Sequence, residues 1–275
     1  MKRVLTRTSG YLRGVTSHSL QPYRGCGFGN ALCGEYCYVK HNTYVTRGRA
    51  WGSFLEVRTN AAASYLESVV RERKWARREG GEFGVFLSSA TDPFVPQEKK
   101  YGVTQSVLRA MIDEPPDTLI VQTHAATVAN HAELLSQLKA CARVHITIES
   151  DRDRLPGLPA PASSVESRFD AARALRDAGL TVVITVSPLL PIENPRAFFT
   201  RCAGCAEAVI IDHFIGGDGT ETGSRTRRTR LPDVMESVEA GTTELAYREE
   251  MVAIAREIMP GRVGVGARGF AGEFA

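Results

Sequence analysis

Three cysteines and a histidine fall close together: Cys26, Cys33, Cys37 and His41, spaced C-x6-C-x3-C-x3-H. Soft thiolates gathered on one loop select zinc or an iron–sulfur cluster. The same residues therefore allow two chemistries. As a Cys3His set, all four would close a tetrahedral structural zinc site. As three ligands on a 4Fe–4S cube, Cys26, Cys33 and Cys37 would leave one iron open to a small amino-acid-like chelator. Gly25, Gly27, Gly29 and Gly34 allow the backbone to wrap tightly around such a group, because glycine has no Cβ to clash. A second pair, Cys202-x-x-Cys205, reads either as a hydrogen donor or redox couple or as two small buried apolar residues. Two thiols alone do not hold a second cube.

Composition narrows the setting. The chain has 275 residues and six cysteines, with 43% hydrophobic and 24% charged residues, which suits a soluble domain with a sizeable core. The N-terminus is basic but no apolar stretch follows it, so secretion is not expected. A cytoplasmic, reducing location is, where clustered cysteines are metal ligands before they are disulfides. No apolar run approaches the ~20 residues that span a bilayer. The net charge of +3 is too small to argue for nucleic acid by itself.

The elements that must position the cysteines alternate. Residues 54–79 carry an apolar stripe at helical spacing; 83–87 form an apolar run bounded by Gly80-Gly81 and Ser88-Ser89. Helix-like 98–112 stops at Pro115-Pro116, and strand-like 118–122 is followed by helix-like 129–141. The alternation continues with strand 144–148, helix 164–178, strand 180–186, helix 195–202, strand 208–212 and a last helix over 243–259. With one more strand near 19–24, the spacing predicts an α/β fold: a partial (β/α)6 TIM-type barrel of parallel strands. Residues 1–215 would form the barrel, with the cysteine loop at 24–42. Residues 216–275 would form a C-terminal extension, a basic loop and a helix, packed on the same domain. The basic Arg225–Arg230 stretch reads as a solvated loop or as a grip for phosphate or an acidic substrate. In such barrels chemistry sits at the C-terminal strand ends. Polar residues collect there: Ser88-Ser89, Thr91-Asp92, Thr123-His124, Glu149, Ser187 and Asp212-His213.

Several separated segments resemble one family. Pro22-Tyr23-Arg24-Gly25-Cys26 and Tyr36-Cys37-Tyr38 are similar to the PYRGC…YCY signature of the spore photoproduct lyase-like branch of the radical S-adenosylmethionine superfamily. Thr91-Asp92-Pro93-Phe94-Val95-Pro96-Gln97-Glu98 resembles its TDPYQPxE segment, and residues 180–191 its strand ending in PiiP. The resemblance covers roughly residues 20–215. It implies a partial barrel and a radical enzyme using a 4Fe–4S cluster, held by Cys26, Cys33 and Cys37, together with S-adenosylmethionine. It also implies a reductant such as flavodoxin or ferredoxin. The cysteine spacing departs from the usual C-x3-C-x2-C. The branch's Thr-Lys-Ser is here Thr123-His124-Ala125, and the strand end that carries a hydrogen-donor Cys in the lyase proper is Leu87-Ser88-Ser89-Ala90. Photoproduct repair is therefore not implied, and a nucleic acid, nucleoside, peptide or small metabolite all remain candidate substrates.

The resemblance also assigns roles. Tyr36 would lie against adenine, and Ser88, Ser89 and Asp92 would hold the methionine amino group. Glu149 would meet a ribose hydroxyl, since a carboxylate buried without a partner is costly. Arg168 would pair with the cofactor carboxylate through its fork. Ser187 would lie near adenine, and His124 would stand where a Lys normally helps bind the cofactor. Each has a structural alternative: packing for Tyr36, turn formation and capping for Ser88, Ser89 and Asp92, an arginine partner for Glu149, an exposed helix position for Arg168. His213 is an acid/base candidate or a structural histidine. The competing reading is a non-catalytic nucleic-acid-binding protein, with Cys26, Cys33, Cys37 and His41 around zinc as in a CCCH finger and the basic loop as its contact surface.

Overall fold

The computed structural model describes residues 3–275. Ten strands form: β1 (Leu5–Arg7), β2 (His18–Leu20), β3 (Tyr23–Gly25), β4 (Leu55–Val57), β5 (Gly84–Leu87), β6 (Thr118–Thr123), β7 (Ala142–Thr147), β8 (Thr181–Val186), β9 (Ala208–Ile211) and β10 (Val263–Val265). Eight make one sheet in the order β1-β2-β5-β6-β7-β8-β9-β10. All neighbours are parallel except the edge pair β1–β2. β1 and β10 are the two edges, so the barrel is open. The expected partial α/β barrel is what forms, with seven parallel strands rather than six. The seventh, β10, is a three-residue Val-Gly-Val segment beside β9, too short to announce itself by pattern.

The local departures have physical causes. The strand expected over 19–24 divides at Gln21-Pro22, because proline has no N–H for a ladder. Its first part joins the main sheet, and its second pairs with β4 in a separate antiparallel ribbon. β4 in turn takes the start of the expected helix 54–79, which begins only at Ala61 and runs to Arg78. The helix expected over 98–112 breaks at Gly102, whose φ of +59° ends one short helix and starts the next. Residues 129–141 form a 3-10 turn and a single α-turn, Ala132–Ser136, rather than a full helix. The segment 216–239 is not all loop: Leu231–Val238 is a helix with Pro232 in its first turn.

Alternation along each strand creates two faces. Outward residues such as Val85, Val121, Ile146, Ile184 and Val209 pack against the helices in the main core. Inward residues Phe86, Ile120, Val183, Ala208 and Ile210 form a second apolar cluster closed by Phe270. Tyr11, Leu12, Val15 and Phe274 pack around it, so both chain ends plug one end of the barrel. The next inward positions toward the C-terminal ends are polar: Ser88, Gln122, Thr147, Thr185 and Asp212. Above these come His124, Glu149 and Ser187. The interior is thus a mainly apolar plug that also holds the buried His145 ring against Phe270, a polar floor and a ring of functional groups. Among the described residues, no helix is long and apolar enough to cross a membrane. Phe270 is 6% exposed. Phe270→Ala should cost ~3–5 kcal/mol through the cavity it opens in the plug, read as a lowered urea midpoint at unchanged slope.

Candidate active site

The cysteine loop leaves β3, folds back over the C-terminal strand ends, and is pinned by a hydrogen bond from the Leu32 N–H to the Ala160 carbonyl at 2.9 Å. Its glycines are required by contact. A Cβ on Gly34 would stand 1.9 Å from the Gly29 carbonyl oxygen, and one on Gly29 would stand 2.4 Å from the Gly52 Cα. Gly25 has φ +82° and lies against Phe54. Cys33 lies in the short helix Leu32–Tyr36, and Cys37 follows it.

The three thiols are free and act electrostatically on one another. Burial pushes Cys33 well above its ordinary range, and the Cys26 and Cys37 thiols push it further. Burial and then Cys26 raise Cys37 to about 12. Burial, then Asp92, raises Cys26. Three protonated thiols in one apolar setting form a site that releases protons when a metal binds, because thiolates are the ligands. Among the described residues, no three His, Cys, Asp or Glu side chains are grouped as a single ion requires. A cube, whose cysteines each bind a different iron, does not need that grouping. The donor set fits a three-cysteine cluster.

The four-ligand zinc set does not assemble. His41 is exposed, and the charges nearest it are Lys40, Arg225, Asp218 and Arg228, not the thiols. The chain turns His41 outward because residues 38–41 form a 3-10 turn after Cys37, with Val39 as the buried member.

Beside the cysteines lies a network of five expected site residues. Tyr36 donates its hydroxyl to Glu149. Arg168 Nη1 donates to Glu149 Oε2 at 2.5 Å and to the Thr147 carbonyl at 2.6 Å. His124 Nε2 stands 3.6 Å from Glu149 Oε1, and its Nδ1 stands 3.7 Å from Asp92 Oδ2. Asp92 accepts from the Thr123 hydroxyl and from the His124 and Phe94 N–H groups at 2.8–2.9 Å, tying the ends of β5 and β6 together. Burial alone would raise the Glu149 pKa; Arg168, His124 and Tyr36 outweigh it, and the carboxyl is held below its ordinary value. Arg168 is 2% exposed, so it reaches the site through Glu149, with its Nε left unpartnered.

The remaining expected residues divide. Ser88 lies on the polar floor with φ +73° and an unpartnered hydroxyl. Ser89 accepts from Gln21 Nε2 at 2.8 Å through its hydroxyl and from Tyr38 through its carbonyl. The Ser187 hydroxyl is 3.4 Å from Asp212. His213 is fully buried: its Nδ1 accepts from the Ile215 N–H at 3.1 Å, and its Nε2 donates to the Thr242 carbonyl at 3.3 Å, a structural tautomer. Cys202 and Cys205 lie in the helix before β9, in the main core and at the opposite end of the strands from the cysteine loop. Burial pushes the Cys202 thiol well up and the Cys205 thiol to about 11.

Of the floor, sequence reasoning named Ser88 and Asp212 and missed Gln122, Thr147 and Thr185. Gln122 Nε2 donates to Thr147 and Thr185, whose hydroxyls are 2.9 Å apart. Asp212 accepts from the Tyr11 hydroxyl at 3.0 Å. The available signal was the polar residue two positions before or after each strand-end residue. Tyr11, from a 3-10 turn at the open edge, carried no such signal.

Residues 20–199 match the family model of the Radical SAM superfamily. The chain belongs to that superfamily. Among solved structures, spore photoproduct lyase complexed with dinucleoside spore photoproduct is similar over 95% of this chain and 79% of that one, with TM-score 0.60 and 17% identity. A mutant of the same lyase with bound AdoMet and the dinucleoside photoproduct gives TM-score 0.59 at 16% identity, over 91% of this chain and 76% of that one. At this identity the likeness shows the shared fold. A comparison with curated proteins finds no match. The superfamily's cofactors are a 4Fe–4S cluster and S-adenosylmethionine, and its members are enzymes that act on a substrate and need a reductant.

Two outcomes follow. Arg168→Met leaves Glu149 buried without its cation and should cost ~3–5 kcal/mol in urea unfolding, most of which Glu149→Gln restores in the double variant. Asp212 behaves oppositely to Glu149: burial outweighs its hydrogen bonds and raises its pKa to about 6. Between about pH 4 and 6 the folded chain keeps a proton that the unfolded chain has lost, so stability attributable to Asp212 falls as pH rises, by roughly 2–3 kcal/mol. Urea midpoints of the wild type and Asp212→Asn across that window should diverge accordingly, with the variant gaining on the wild type as pH rises.

Proposed function

We propose that the protein uses a 4Fe–4S cluster on Cys26, Cys33 and Cys37 to cleave S-adenosylmethionine reductively and to abstract hydrogen from a substrate in the barrel lumen. The observation that carries this is three free thiols, Cys26 buried and Cys33 and Cys37 half-buried, on one glycine-packed loop beside a charged network at the C-terminal strand ends. When bound, the two cofactors supply a 5′-deoxyadenosyl radical, one electron breaking the C5′–S bond.

The chain's own residues hold and shield. Glu149, ionised and fixed by Arg168, offers an acceptor to a ribose hydroxyl. Tyr36 stands where its ring can lie against adenine, and Ser187 stands on the same rim. Asp92, Ser88 and Ser89 stand at the end of β5 for the methionine amino group, and His124 bridges the two carboxylates. The apolar plug keeps water and stray hydrogen donors out of the lumen from below. Residues 216–275 complete the same domain by adding β10 to the sheet, and an acidic one-electron carrier such as flavodoxin or ferredoxin serves as reductant. Serines at the end of β5 replace the hydrogen-donor cysteine of the lyase proper, which points to a reaction other than photoproduct repair.

The test is anaerobic reconstitution with iron and sulfide, then dithionite and S-adenosylmethionine, and an assay for 5′-deoxyadenosine. The wild type should be brown and productive, Cys33→Ala silent, and His41→Ala as iron-rich as the wild type. A colourless protein with one zinc, lost in His41→Ala, would overturn this reading.

A further inference from the structure

Three buried carboxylates stand at the strand ends, and their charges are balanced differently. Asp92 is saturated by Thr123 and two backbone N–H groups and faces His124. Glu149 is paired with Arg168 at 2.5 Å. Asp212 has no cationic partner among the described residues. Its oxygens accept from the Tyr11 hydroxyl at 3.0 Å, the His213 N–H at 3.0 Å and, at 3.4 Å, the Ser187 hydroxyl. Arg248, a cation that acts on it electrostatically, is bonded to Glu249 at 2.5 Å. Asp212 is 6% exposed and follows inward-facing Ile210 by two residues on β9, so it faces the lumen.

The opposite wall shows a second, independent sign. Ser88 is 4% exposed, and its hydroxyl has no partner. Gln122 lies beside it on β6 and spends its amide donors on Thr147 and Thr185, leaving Oε1 buried and unpartnered. Buried polar atoms are satisfied in nearly all proteins, so the orphans on the inner faces of β5 and β6 mark where bound molecules complete the bonding, the cofactor's amino group at Ser88 and the substrate at Gln122. These are an acceptor and a hydroxyl; the unpartnered His145 ring lies against Phe270 in the plug. The floor presents no free cation among the described residues. A phosphate or carboxylate would meet the Asp212 carboxylate there with no cation to offset the repulsion.

We propose that Asp212, oriented by Tyr11 and Ser187, binds a protonated amine of the substrate, so that the substrate class is a small amine-bearing molecule rather than a phosphodiester. An ammonium group brings three donors and the charge that a buried carboxylate lacks. A second polar group of the same molecule meets Gln122 across the lumen. The shift of Asp212 toward neutrality fits a carboxylate waiting for a cation. This proposal rests on the reading of the lumen as a radical enzyme's substrate site.

The test uses the reconstituted protein with S-adenosylmethionine but no reductant, so that nothing turns over. n-Butylamine is the probe; 1-butanol and butyrate are its neutral and anionic matches, and calorimetric titration is the readout at about pH 7.5. The wild type should bind the amine at least tenfold more tightly than either match. Asp212→Asn should lose at least tenfold, and Tyr11→Phe about threefold. Butyrate or butanol binding as well as the amine, or no amine binding, would overturn the proposal from the wild type alone, whatever the variants do. So would an Asp212→Asn protein, folded by its urea midpoint, that binds the amine unchanged. A protein that makes 5′-deoxyadenosine yet ignores the amine sinks only this proposal; one that binds the amine yet never cleaves S-adenosylmethionine sinks only the radical-enzyme reading.

Discussion

The Glu149–Arg168 pair is the constraint on which the site depends. A carboxylate at the end of a strand that is buried on both faces cannot remain charged without a partner. Arg168 supplies that partner from the first turns of the helix Val165–Asp177, and its second donation, to the Thr147 carbonyl, fixes where the guanidinium stands. Tyr36 then closes on the same carboxylate from the cysteine loop. One side chain thereby joins β7, the next helix and the loop that carries the thiols. A displaced Glu149 would release Tyr36, and Tyr36 lies between Cys33 and Cys37 in the chain. The charge pair costs desolvation and adds little net stability. Its return is position: the loop's aromatic residue is held against a fixed oxygen.

A second constraint runs along the barrel axis. Side chains alternate in and out, so each inward position belongs to a depth set by its place on the strand. Near the N-terminal ends the depth is apolar and sealed by Phe270. Two residues later it is hydroxyl and amide, and two later again it is charged. Polarity rises toward the cysteine loop because that is the only end where ligands can enter an interior plugged from below. The glycines do the corresponding work outside the barrel. With Gly29 and Gly34 in backbone contact, the wide C-x6-C interval is folded to a compact turn.

Much of this was legible in the sequence, and what was not had a reason. The alternation of apolar runs with amphipathic stretches fixed the class of fold, since parallel strands buried on both faces read as continuous Val, Ile and Leu. The three cysteines were visible by type and spacing, and Tyr36, Asp92, His124, Glu149 and Arg168 by their place at strand ends or in the segments that resemble the family. Their partners were not. Arg168 could be read equally as a ligand for a carboxylate or as the partner of one, because spacing does not say which carboxylate is nearest. His41 looked like a fourth ligand by spacing alone; a 3-10 turn sends it outward, and no pattern encodes that turn. β10 and Tyr11 come from the chain's far ends and reach the barrel only through tertiary contact.

The contrast between Glu149 and Asp212 separates two uses of buried charge. Both lie on the inner face, both end a strand, and both accept a tyrosine hydroxyl. They differ in their cationic neighbours: Glu149 has Arg168 and His124, Asp212 has neither. With Arg168, Glu149 is held below its ordinary pKa, and it can serve as a steady acceptor for a cofactor that is always the same. Without it, Asp212 sits near the boundary of ionisation, and its state can depend on what enters. A permanent counterion at Asp212 would have stabilised the empty protein, because it would have removed the cost of an unpaired buried carboxylate. It would also have left a cationic ligand nothing to neutralise. An enzyme that must recognise its cofactor on every turnover, and release a changed substrate after each, has reason to balance the first charge internally and leave the second open.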